Sequence, residues 1–186
     1  MARIPYPEPG QLSPQTSQAV AALPPLNIFR MLSHADSAFA PFLGFAGSLL
    51  TQLELDPALR ELVILITAKK TEAEYEWIQH VEIAKAVGVT EDQIAAVEAE
   101  DFSSNSLSPE AEALLGFAAQ VLEQPRADDE AFAAVSAKFP PRQIVETLLV
   151  IGSYRMLGGV MTNLDLELDA GVDAASLREA EAKLDA

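Results

Sequence analysis

The chain has no cysteine among its 186 residues. That excludes disulfides, thiolate nucleophiles, cysteine-ligated zinc and iron–sulfur clusters. Basic residues are scarce, 12 Lys and Arg against 28 Asp and Glu, for a formal net charge of −16. Phosphate backbones and anionic membranes repel such a chain, so neither nucleic acid nor a membrane is expected as a partner. Long apolar runs are also missing, since Pro, Gly or charge interrupts each one short of a membrane span. The opening "MARIPYPEPGQLSPQ" lacks the apolar core of a signal peptide, which gives the expectation of a cytoplasmic protein. No Gly-rich phosphate loop, nucleophile elbow or basic aromatic patch is present.

What the chain does have is apolar residues, 49% of the total, enough to bury a sizeable core in one domain. Residues 1–12 carry three prolines and a glycine and read as an extended arm, either loose or lying on a neighbour. Residues 13–186 read as a single all-α domain of about seven to nine helices. Ser13-Pro14, Asp56-Pro57 and Ser108-Pro109 each pair a capping side chain with proline at the first helical position. They open helices over 14–23, 57–68 and 109–123. Thr71 with Glu74, and Thr90 with Gln93, have the spacing of capping boxes, and Gly88 falls where a left-handed helix stop belongs. Pro140-Pro141 precedes a long apolar helix over about 141–162. A helical segment runs from Pro25 to about residue 51, interrupted near Asp36 or Pro41. "LVILIT" at 62–67 has strand composition, but its Asp-Pro start and the lack of a partner strand make it a buried helix. The acidic, Ala-rich tail from Asp165 reads as an exposed helix or an intersubunit arm.

The chemistry concentrates in "TEAEYEWIQH", residues 71–80. Glu76 and His80 stand one helical turn apart. On a wheel at 100° per residue, Ala73, Glu76, Trp77, His80, Val81, Ile83, Ala84 and Val87 share one arc. Glu74, Tyr75, Gln79, Glu82 and Lys85 share the other. The acid and the base therefore lie on the apolar face, where a carboxylate needs a partner. In the preceding helix Glu61 projects on the side of Ile64, Leu65 and Ala68, while Arg60 falls on a different side. Either glutamate could partner His80. A buried Glu–His pair can be an acid/base pair in a pocket or can simply knit the core.

The stretches "RELVIL", "EYEWIQH" and "AKAVGVTEDQI" resemble the carboxymuconolactone decarboxylase and alkylhydroperoxidase D superfamily, over about residues 28–100. That resemblance implies an all-α alkylhydroperoxidase D-like fold and a homo-oligomer, most often a trimer or hexamer. The peroxidase branch uses a glutamate, then a CxxC pair, then a histidine. Laid on this chain, the glutamate is Glu61, the cysteine positions are Ala73 and Glu76, and the histidine is His80. The relay groups stay in register while both redox groups are absent, so thiol peroxidase chemistry is excluded.

The decarboxylase branch, which also lacks the cysteines, implies acid/base chemistry without a cofactor on a small organic acid. Glu61, Glu76 and His80 are the candidate catalytic residues, with His80 shuttling the proton. Arg60 or Arg155 could hold a substrate carboxylate or serve in a structural ion pair. Trp77 is a candidate pocket wall, and Tyr75, on the opposite side, a candidate interface residue. His34 could join the site or cap a helix end. Glu61, Glu76, His80 and His34 have ligand types that suit zinc or manganese, but no dedicated motif joins them and no metal is expected. The alternative is a non-catalytic oligomer or small-ligand binder of the same fold.

Overall fold

The computed structural model describes residues 1–169. Among the described residues are nine α-helices, one short 3-10 turn at Pro9–Gln11 and no strand, the all-α architecture expected. In chain order the helices are α1 (Pro14–Ala22), α2 (Asn27–Leu32), α3 (Asp36–Thr51), α4 (Pro57–Lys70) and α5 (Glu74–Ala86). They continue with α6 (Glu91–Glu98), α7 (Pro109–Glu123), α8 (Asp129–Ser136) and α9 (Pro141–Asn163). Most of the acidic tail, residues 170–186, with the helix expected there, lies outside the described residues.

Side-chain caps set most of the helix starts. Ser13, Asp56 and Ser108 each accept a backbone N–H from the first turn they precede. The Thr90–Gln93 capping box forms reciprocally ahead of α6, and Gly88 takes the left-handed conformation at φ 98°. The Thr71–Glu74 box does not form. The N-cap of α5 is Ala73, without a side-chain cap bond, and the Thr71 hydroxyl donates to the Thr67 carbonyl at 2.8 Å. Thr71 thus finishes α4 rather than starting α5. Glu72, at φ 55°, turns the chain between the two helices. The segment before residue 51 divides into α2 and α3 at Ser33–Ala35, and Pro41 lies inside α3 without ending it. Asp128 caps α8, a helix without a proline start.

The chain divides into two compact units, one of Met1–Gln52 with the residues from Met161, the other of Leu53–Val160. In the first, the N-terminal arm hydrogen-bonds to its own chain near Leu164 and Glu167. The backbone N–H of Arg3 donates to Leu164 O at 2.9 Å, and the Tyr6 hydroxyl donates to Glu167 Oε2 at 3.0 Å.

In the second unit α4 is the central element. Every residue from Arg60 to Ala68 is buried, and the helix packs against α5, α6 and α7. A helix that is apolar all round has to be interior, which is why "LVILIT" carries strand-like composition yet folds as a helix. Each of its buried Leu, Ile and Val side chains contributes about 1.5–3 kcal/mol through removal from water. α9 is long and apolar enough to pass for a membrane span by composition, but half of that stretch is buried inside the fold.

α9 reaches the turn between α4 and α5 at Gly158. A Cβ there would stand 2.8 Å from Thr71 Oγ1 and 3.2 Å from the Ala73 Cβ. Gly158→Ala is therefore expected to lower stability by about 1–3 kcal/mol through overpacking. At Gly152, where an added Cβ meets nothing within 4 Å, the same change should be neutral or mildly stabilising through helix propensity. Urea denaturation of the two variants side by side checks this, and equal midpoints would contradict it.

Candidate active site

Three helices of the Leu53–Val160 unit converge on one buried group of polar side chains. α4 supplies Arg60 and Glu61, and α5, running back from the short turn, supplies Glu76 and His80. α9 supplies Tyr154. Glu61 is fully buried and both its oxygens are occupied. Oε1 accepts from Nε and Nη2 of Arg60, each at 3.0 Å, and Oε2 faces His80 Nδ1 at 2.7 Å. A carboxylate held by a guanidinium is an acceptor only, so the proton in the second contact belongs to Nδ1. In the neutral imidazole this contact selects the tautomer whose Nε2 carries the lone pair, the arrangement that makes a histidine a base. The Tyr154 ring meets the imidazole edge to face, with centroids 4.9 Å apart and planes at 87°.

Glu76 has the opposite environment. It is buried, one turn before His80, and neither carboxyl oxygen has a hydrogen-bond partner among the described residues. Burial alone pushes its carboxyl well above the usual carboxylate range, which favours the neutral, proton-donating form. Two acids in one site thus have different characters. Glu61 is hydrogen-bonded by a guanidinium and an imidazole, and Glu76 is an acid whose neutral form burial favours. Beside Glu76 along α5, Ala73 and Trp77 line an open hollow of about 520 Å³ whose rim carries Lys69, Lys70, Glu72, Glu74, Glu98 and Glu100.

Glu61, Glu76 and His80, proposed from sequence, lie on adjacent packed helices, and it is Glu61 that bonds the imidazole. Arg60 departs from the wheel reading. Its flexible side chain folds back onto its neighbour, so it is 5% exposed and committed to Glu61 instead of free for a substrate carboxylate. Trp77 is half-buried at the hollow. Tyr75 is buried, not at the surface, and Ile78 is the outward apolar residue of α5. Arg155 is exposed on α9. His34 belongs to the other compact unit, where Nε2 is 2.8 Å from the Pro5 carbonyl and holds the N-terminal arm. Tyr154 is the residue that sequence reasoning missed. The sequence singles out Arg155, while Tyr154 beside it packs on the histidine. Among the described residues no group of three or more His, Cys, Asp or Glu is placed to hold a metal ion.

Comparison with known proteins agrees with the geometry. Residues 37–120 match the Carboxymuconolactone decarboxylase family. No curated protein matches the chain. Among solved structures, the chain is similar to an uncharacterised peroxidase-related protein with an alkylhydroperoxidase AhpD core from Ralstonia eutropha JMP134. The TM-score is 0.78 at 17% identity, covering 91% of this chain and 93% of that one. A protein of unknown function from Agrobacterium tumefaciens gives a TM-score of 0.67 at 18% identity, covering 74% of this chain and 95% of that one. The debrominase Bmp8 gives 0.64 at 14% identity, covering 92% of each chain. A cysteine-to-alanine variant of that debrominase was solved with 2,3,4-tribromopyrrole bound. At these identities the likeness is one of fold. The described helices thus have an alkylhydroperoxidase D-like fold without cysteine, and residues 37–120 within it are similar to the carboxymuconolactone decarboxylase family.

Proposed function

We propose that the protein carries out cofactor-free acid/base chemistry, proton transfer or decarboxylation, on a small organic molecule. In this reading His80 Nε2 is the base, Glu61 holds its tautomer and orientation, and Glu76 is the acid. The observation that carries the reading is Glu76, a buried carboxyl with no partner on either oxygen. A purely structural pair would have Glu76 bonded to something. A buried unsatisfied acid beside an oriented imidazole weakens the fold and is retained where chemistry uses it. The debrominase of the same fold binds a small bromopyrrole, in keeping with a small-molecule substrate.

The test is a panel of small unsaturated lactones, keto acids and ketones in deuterated buffer, followed by NMR for carbon-bound deuterium and for carbon dioxide loss. The wild-type protein should turn over at least one compound, and His80→Gln should lower that rate by about 10²–10⁴-fold with helix content unchanged. A His80→Gln variant as active as the wild type would sink the reading in favour of a non-catalytic, ligand-binding or core-knitting role.

The partner expected is a second copy of the chain. Val145, Leu148, Leu149 and Met156 are exposed along one face of α9. Arg155 is also exposed on this helix, whereas Arg142 is paired with Glu54 at 2.7 Å and with Glu146 at 2.9 Å. A second copy covering this face would remove its exposed apolar side chains from water and offer Arg155 an acidic surface, on a chain with a net charge of −16. Contacts between unlike patches close into rings, so a trimer or a hexamer built from trimers is expected. Light scattering should give that mass for the wild type and a monomer for Leu148→Glu with Leu149→Glu. A monomeric wild type at micromolar concentration would contradict it.

A further inference from the structure

Charge around the site is distributed unevenly, and this bears on which molecules it accepts. Inside, Arg60 and Glu61 neutralise each other through two short contacts. His80 spends its Nδ1 proton on Glu61, and neither oxygen of Glu76 has a hydrogen-bond partner among the described residues. At the hollow lined by Ala73 and Trp77, four glutamates (Glu72, Glu74, Glu98 and Glu100) outnumber two lysines. One of those lysines, Lys70, is already bound between Glu100 and Glu123. Arg155, the candidate anion clamp on α9, is exposed while its neighbour Tyr154 packs on the imidazole, so the two side chains face different surroundings.

A carboxylate entering the buried site loses its hydration and finds Arg60 already held by Glu61, while the exposed Lys69 stands out at the rim of the hollow. It also meets a rim where glutamates outnumber lysines, and Coulomb repulsion grows as the surroundings become apolar. An uncharged molecule avoids both penalties. It still finds an acceptor at His80 Nε2 and an O–H donor at Glu76.

We infer that the site acts on an uncharged, enolisable carbonyl compound rather than on a carboxylate. The inference rests on the acid/base reading above and narrows its substrate class. His80 Nε2 takes the proton from the carbon next to the carbonyl, and that C–H electron pair becomes the C=C bond of the enol. The carbonyl π pair takes the proton of Glu76, leaving Glu76 as carboxylate and His80 as imidazolium, a mutually attractive pair one turn apart. Return of a proton from His80 to carbon, and of the enol proton to Glu76, restores both groups. In heavy water the returned proton is a deuteron, so turnover is recorded in the carbonyl compound without any oxidant or cofactor.

Methyl levulinate and levulinate share a ketone and differ in charge, which makes them a suitable pair of probes. With both at equal concentration near pH 7, NMR after subtraction of buffer-catalysed exchange should show deuterium entering methyl levulinate at least tenfold faster. That uptake should be lost in His80→Gln and in Glu76→Gln. Exchange that depends on His80 but is equal for the two probes, or faster for levulinate, overturns the preference for an uncharged substrate and leaves the acid/base reading standing. No exchange into either probe, or the same exchange with His80→Gln, overturns both.

Discussion

Replacing Glu61 by glutamine is expected to lower stability by about 3–5 kcal/mol, the largest effect of any single change in the site. Glutamine keeps the size of the side chain and an oxygen for Arg60, so no cavity forms. It removes the negative charge that a 5% exposed guanidinium faces at 3.0 Å. A buried charge stripped of its counter-charge carries its full desolvation penalty, which is why breaking such a pair does more damage than replacing both members. Arg60→Met combined with Glu61→Gln should therefore recover much of the loss. Urea denaturation of the two single variants and the double variant forms the cycle that measures this coupling. A loss below about 1 kcal/mol for Glu61→Gln would show that solvent, rather than Glu61, compensates Arg60. The same substitution should also reduce turnover, because His80 loses the acceptor that selects its Nδ1–H tautomer.

Glu76→Gln should move activity and stability in opposite directions. Catalytically it removes the group proposed to donate a proton opposite His80, and rates should fall by about 10²–10⁴-fold. For stability, the folded-state pKa of Glu76 is raised above the unfolded value of 4.5 by burial. Below the unfolded pKa both states are protonated and the residue contributes no pH dependence. As pH rises through 4.5 the unfolded chain releases its proton while the folded protein keeps it, so the unfolded state gains and the fold weakens. The weakening continues up to the folded pKa and is constant beyond it. Glutamine does not titrate, so the variant should match the wild type at acid pH and melt progressively higher as pH increases. A variant that melts lower than the wild type at neutral pH would mean that Glu76 has a favourable partner. The combination of lost turnover with gained stability is the signature of a residue kept for chemistry.

The parts of this fold that were legible from sequence share a local physical cause. Ser13, Asp56, Thr90 and Ser108 cap the helices they precede because a side-chain acceptor two or three residues before an unpaired N–H needs nothing from the rest of the chain. The burial of Glu76 and His80 followed from helical periodicity for the same reason. What escaped depended on tertiary contacts. Thr71 reads as a cap, yet the close approach of Gly158 and the left-handed Glu72 place it at the end of α4. Tyr75 reads as outward on the wheel and is buried, an outcome that the periodicity of α5 alone does not contain. Arg60 projects away from Glu61 at its Cβ, but a long side chain with several rotatable bonds reaches its neighbour's carboxylate all the same. Tyr154 is about 70 residues from His80 in sequence, and only packing brings the rings together.

The central claim is that Glu76 is a neutral acid at working pH, next to an imidazole whose other side is fixed by Glu61. Infrared spectroscopy reads this directly, because a protonated carboxyl has a C=O stretch well separated from the carboxylate bands. The difference spectrum between the wild-type protein and Glu76→Gln, recorded near pH 7, should contain one protonated-carboxyl band that shifts in heavy water and bleaches only as the pH is raised further. A difference spectrum showing carboxylate bands alone at that pH would mean that Glu76 is ionised in the folded protein, and the acid role assigned to it would be wrong.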